Sequence, residues 1–161
     1  MIQRIQTLYL LAATALMAIT FFAPLMSFHL MDEVSTLYAY KLVDAAGLAT
    51  CTPWHFSVLV GLTTILPFLI IFRYKNRLSQ IRFCVVEVVL LVGLLVVGGL
   101  YCYRFYDLFT EQIATLANPE LFAVGYKMTL LCPVAALLFV WLASRAIFRD
   151  EMLVRAADRI R

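Results

Sequence analysis

The 161-residue chain is 64% apolar or aromatic and only 14% charged, against roughly 25% charged and about 45–50% apolar in an ordinary soluble domain. A soluble fold of this length has no interior large enough for that excess, so a typical soluble enzyme, a nucleic-acid binder and a disordered chain are excluded. The net charge of +3 comes from bases clustered beside the apolar segments, which is an orientation signal in a membrane rather than a nucleic-acid patch.

In chain order, the first predicted span covers about residues 6–28. It follows Arg4 and carries no charge, and it is too long for a signal-peptide core of about 7–15 residues. Pro24 falls near its far end, where a broken turn costs little. The second span, residues 54–72, is just long enough to cross ~30 Å of hydrocarbon at 1.5 Å per residue. A short basic connection leads to the third span, residues 81–103, which holds Glu87 and the packing glycines Gly93, Gly98 and Gly99. The fourth span, residues 121–144, carries Lys127 near its start, with Trp141 and Arg145 at its far interface. The tail, residues 145–161, reads either as a helical extension of that span or as a short helix lying on the membrane surface.

Long unbroken apolar runs fit helices and not the short alternating strands of a barrel. The expected fold is an all-α membrane protein, a single antiparallel bundle of four transmembrane helices. Between the first two spans, residues 36–43 read TLYAYKLV, which fits a small β-hairpin capping the bundle, an irregular loop or a short interfacial helix. Residues 104–120 read as mostly helical, with Asn118-Pro119 as a stop.

Orientation follows from charge. Arg4, Arg73, Lys75, Arg77, Arg82, Arg145, Arg149, Arg155, Arg159 and Arg161 fall on one side, ten of the thirteen basic residues. The opposite loops carry Asp32, Glu33, Asp44, Asp107, Glu111 and Glu120. The positive-inside rule then places both termini in the cytoplasm.

The candidate chemistry is sparse. Glu87 lies about 9 Å inside its span by helical rise, where an ionised carboxylate costs several kcal/mol unless paired or wetted. Arg145, Arg4 and Gln6 are the expected partners, forming a polar clamp; an ion or proton relay is the functional alternative, and a protonated, inert carboxyl is the third reading. Lys127 is expected to snorkel outward. Thr63 with Pro67 and Thr129 with Pro133 look like a matched pair of helix kinks, since each proline removes the bond to the carbonyl four residues earlier. That match is read either as chance or as a kinked pair around a substrate cavity. Cys51 and Cys102 fall on one side and are candidates for a disulfide. His29 and His55 suit headgroup level better than a metal site. No phosphate loop, CxxC, HExxH or GxSxG pattern is present, and neither a metal nor a cofactor is expected.

Three segments on the basic side carry a family resemblance. The opening Met-Ile-Gln-Arg-Ile-Gln-Thr, the connection from Tyr74 to Cys84, and the tail Arg145-Ala146-Ile147 with Asp150-Glu151 and Leu153 to Arg161 resemble the bacterial domain-of-unknown-function 4293 family. The resemblance implies a small four-helix inner-membrane protein and carries no established activity. It also directs attention to Lys75, Asn76, Arg77, Gln80, Arg82, Arg155, Asp158 and Arg159 as one cytoplasmic interaction face, suited to anionic lipid headgroups or a protein partner. The functional expectation is a non-catalytic accessory, scaffold or assembly factor in the bacterial inner membrane. A small transporter or channel subunit using Glu87 is the alternative, and it requires a homo-oligomer because four helices leave little room for a pore.

Overall fold

The computed structural model describes residues 3–30, 33–44, 47–51, 53–73, 77–114 and 122–160. Helix α1 spans Gln3–Phe22, α2 Trp54–Phe72, α3 Arg77–Ala114 and α4 Cys132–Ile160. All four contain segments long and apolar enough to cross a membrane. Around the bundle, α1 packs on α2 and α4, and α3 packs on α4 and α2, as an up-down topology with sequential neighbours requires.

One spacing rule builds the interior. The buried positions are Gln6, Leu10, Ala13, Met17 and Thr20 on α1, and Phe56, Val60, Thr63, Pro67 and Ile70 on α2. On α3 they are Gln80, Cys84, Glu87, Leu91 and Leu94, and on α4 Pro133, Ala136, Val140, Ala143, Ile147 and Asp150. Every helix advances by alternating steps of four and three, the 3.5-residue repeat of coiled-coil packing. The remaining faces are apolar yet exposed: Leu62, Ile65, Phe68, Leu69 and Phe72 on α2, and Val89, Val96 and Leu100 on α3. Water would not tolerate a surface of that kind, whereas lipid covers it.

A five-stranded antiparallel sheet sits at the end of the bundle remote from the two chain ends. Its strands are β1 Met26–Leu30, β2 Glu33–Leu37, β3 Leu42–Val43, β4 Ala49–Cys51 and β5 Phe122–Tyr126, in the order β4-β3-β2-β1-β5. The segment read as a possible hairpin supplies the β2–β3 turn, closed by Tyr38 N–H donating to Lys41 O at 2.9 Å. Gly47, at φ 75°, allows the turn between β3 and β4.

Two expected span boundaries are corrected here. The first apolar helix stops at Phe22 rather than near residue 28, because Pro24 has no N–H to donate and disfavours helix at Ala23. Residues 26–30 then run as a strand, with Met26, Ser27 and Phe28 buried and His29 exposed. The fourth helix starts at Cys132 rather than near residue 121, because residues 122–126 pair with β1 along its whole length. In contrast α3 is longer than expected. Its 38 residues reach about 57 Å at 1.5 Å per residue, and the excess carries the sheet. Phe105 is buried with Met26, Phe28, Leu37 and Leu42, and the rings of Phe28 and Phe109 stack at 4.4 Å. The tail continues α4 without a break.

The β1–β5 pair depends on Gly125. A Cβ there would run into the Ser27 hydroxyl, which donates to Gly125 O at 3.3 Å. Gly125→Val is therefore expected to lower stability by about 1–3 kcal/mol, read as a lower thermal midpoint in detergent. Adding Ser27→Ala should recover part of that loss, and strictly additive losses would show that the two sites do not interact.

Candidate functional site

The polar side chains that occupy inward positions define the candidate site. At the end of the bundle carrying the chain ends, α1, α3 and α4 contribute buried Gln6, Gln80 and Asp150. Gln6 Nε2 donates to Asp150 Oδ2. Gln80 Nε2 points at Ile70 O across a long 3.5 Å. Asp150 Oδ1 is buried with no hydrogen-bond partner among the described residues. One turn further in, each of these residues is followed by an apolar layer of Leu10, Ile70, Cys84, Ala143 and Ile147.

Glu87 comes next. It has no exposed surface, and neither carboxyl oxygen has a hydrogen-bond partner among the described residues. Beyond it Leu91 belongs to the larger apolar cluster with Ala13, Met17, Val60 and Val140. Glu87 thus separates two apolar clusters. Gln80 and Ile70 meet across α3 and α2, so Glu87 and Thr63, each seven residues onward, lie at one level, about 10 Å deeper by helical rise. The Thr63 hydroxyl donates to Leu59 O and Val60 O within its own helix. Pro67 has no N–H to give the Thr63 carbonyl, so a freed backbone acceptor shares the level of Glu87.

Among the described residues, neither Arg145 nor Gln6 reaches Glu87 as the expected clamp requires. Gln6 lies two turns away and engages Asp150. Arg145 is exposed, with its guanidinium 5.6 Å from the Trp141 ring centroid. It lies two residues past Ala143, which turns it about 200° from the inward stripe. The Arg4 side chain lies outside the described residues.

Other predicted site residues move as well. Lys127 is not inside a helix: it is exposed between β5 and a 3-10 turn over Met128–Leu131. Thr129 lies in that turn, and Pro133 is the second residue of α4, where a proline is tolerated because the first N–H groups have no helical acceptor. Only Pro67 with Thr63 is interior to a helix, which removes the symmetry of the proposed kink pair. Gln80 is buried and leaves the expected interaction face, while Arg82 is exposed on it. Lys75 and Asn76 lie outside the described residues, as do the side chains of Arg77, Arg155, Asp158 and Arg159.

Cys102 is a free thiol rather than half of a disulfide. Among the described residues no three His, Cys, Asp or Glu side chains gather as metal ligands. His29 is exposed, and the exposed His55 ring lies 3.7 Å from that of Trp54. Asp150 is the inward residue that the sequence reading overlooked. The signal was the spacing Pro133, Ala136, Val140, Ala143, Ile147, Asp150, which carries the stripe past the apolar run.

Residues 2–160 match the family described as Domain of unknown function (DUF4293). The chain belongs to that family. None of the curated proteins matches it. The DUF4293 match runs through all four helices and the sheet, so both form one family unit.

Chemically, this arrangement favours one register of four similar helices: polar groups at inward positions tolerate few alternative alignments. It predicts a contrast between two variants. Gln6→Leu leaves Asp150 buried without its donor and should cost about 1–3 kcal/mol, seen as a lower denaturation midpoint in detergent. Glu87→Met replaces an unpartnered carboxyl with an apolar chain of similar volume, so the midpoint should hold or rise. An equal fall for both variants would mean that Glu87 has a partner in the folded protein.

Proposed function

We propose that the protein is a four-span protein of the bacterial inner membrane, with both termini in the cytoplasm, acting as a non-catalytic accessory or scaffold through its basic end. The observation that carries this reading is the exposed set of Arg73, Arg82, Arg145 and Arg149 at the bundle end opposite the sheet. Two of them lie over aromatic rings: the Arg73 guanidinium is 5.6 Å from the Phe83 centroid, and that of Arg145 equally far from Trp141. This packing supports the stems and leaves the charge directed at headgroups or a partner. At the sheet end Lys41, Arg104 and Lys127 are offset by Asp44, Asp107 and Glu111. That asymmetry is the one the positive-inside rule reads, and family membership supports the same picture of a small membrane unit.

The enclosure of Glu87 counts against the transporter alternative, which needs a wetted path to that carboxyl. Thr63 also keeps its hydroxyl within its own helix.

Two measurements test the proposal. In intact cells, with the four native cysteines changed to alanine, a membrane-impermeant thiol reagent should label Leu48→Cys and spare Arg149→Cys; the reverse pattern overturns the orientation. In cross-linked co-purification, a partner enriched by the wild type should be lost with Arg82→Ala plus Arg149→Ala and retained with Arg104→Ala at the opposite end. Recovery of the same proteins from every variant would remove the docking role.

A further inference from the structure

At the sheet end, the bundle encloses an apolar cavity of about 160 Å³. Two consecutive glycines of α3 shape it. A Cβ on Gly98 would lie 3.3 Å from the Phe56 ring, so its absence lets α2 and α3 close on one another. A Cβ on Gly99 would meet nothing within 4 Å, and Gly99 is exposed. The cavity therefore reaches the bundle surface at Gly99, between α3 and the start of α4.

The surface around that opening is hydrocarbon-like: Val96, Leu100, Leu131 and Val134 are all exposed. What meets the opening in a membrane is therefore an alkyl chain and not an aqueous solute. An apolar cavity of roughly 150 Å³ stays dry and accepts a hydrocarbon guest.

The charge beside the cavity says which lipid. Lys127 is exposed, and it makes no ion pair with any of the described residues. Its N–H donates to Leu25 O at 3.2 Å, and its carbonyl accepts from Leu130 N–H at 3.1 Å. Leu25 and Leu130 both line the cavity. The lysine backbone is thus built onto the cavity wall, at the junction of β5 and the 3-10 turn, with its exposed side chain beside the cavity.

We propose that this cavity is a lateral lipid site, which takes a hydrocarbon chain of an anionic phospholipid through the Gly99 opening and holds the phosphate on Lys127. The inference rests on the membrane embedding proposed above but not on its orientation or on the basic docking end, so it survives if those fail.

The test uses the full chain in phosphatidylcholine vesicles doped with phosphatidylglycerol carrying a mid-chain diazirine. After irradiation, cross-linked peptides are quantified by mass spectrometry. Labelling of residues 94–102 and 130–133 should exceed that of the outward α2 face at Leu62, Ile65 and Leu69 several-fold. Gly99→Phe starts from a Cβ that meets nothing within 4 Å, so it should block the opening and abolish the excess while leaving α2 labelling unchanged; Gly99→Leu serves if the larger ring unfolds the protein. Lys127→Gln should reduce the excess about fivefold for the phosphatidylglycerol probe and leave a phosphatidylcholine probe unaffected. Uniform labelling of the wild type, or an excess that persists when Gly99 is blocked in a folded variant, overturns the site. Equal excess for both probes in the wild type overturns the headgroup assignment.

Discussion

Inside hydrocarbon, helices gain almost nothing by hiding apolar surface from one another, because lipid tails are as apolar as leucine. The arrangement of this bundle therefore depends on fit and on the few polar groups that face inward. Fit comes from the 3.5-residue stripe, which gathers small Ala13 and Ala136 with larger Met17, Leu91 and Val140 in one cluster, and Ala143 with Leu10, Ile70 and Ile147 in the other. Polar anchoring comes from the bond between Gln6 and Asp150, which joins the first and last helices across 144 positions of sequence. The hydroxyls of Thr14, Thr20, Thr63 and Thr64 return to carbonyls of their own helices, whereas at the sheet end Ser27 donates to Gly125 O and Ser57 to Ala39 O.

The helical class and the number of apolar helices were legible because hydrocarbon imposes its demand on every residue of a span at once. Boundaries were less legible. Residues 23–30 and 121–131 are still mostly apolar, so hydropathy alone carries the helix into them. Pro24 in one case and Gly125 in the other marked the change to strand, and the alternation of Met26, Ser27, Phe28 and His29 was there to be seen once the proline was taken as a stop. The β1–β5 pairing joins segments nearly a hundred residues apart, a contact that no local pattern announces.

The polar site was half legible. Glu87 stood out because a lone acid in an apolar run is expensive, but its surroundings could not be inferred from depth alone. Arg145 has the right depth and the wrong azimuth, two residues off the stripe. Gln6 has the right azimuth and a shallower level. Asp150 was hidden because it follows the span in sequence while remaining on the inward face of the same helix. Depth and azimuth must both be counted, and the seven-residue spacing supplies the second.

The strand that follows α1 and the strand that precedes α4 lie side by side in the sheet, while the opposite ends of those two helices are tied through Gln6 and Asp150. The first and last helices are thus hinged top and bottom, like two boards of a book glued along one spine. Drawing α1 and α4 apart therefore means undoing both fastenings, whereas α2 and α3 are joined to that pair by apolar packing and by rings stacked under the sheet.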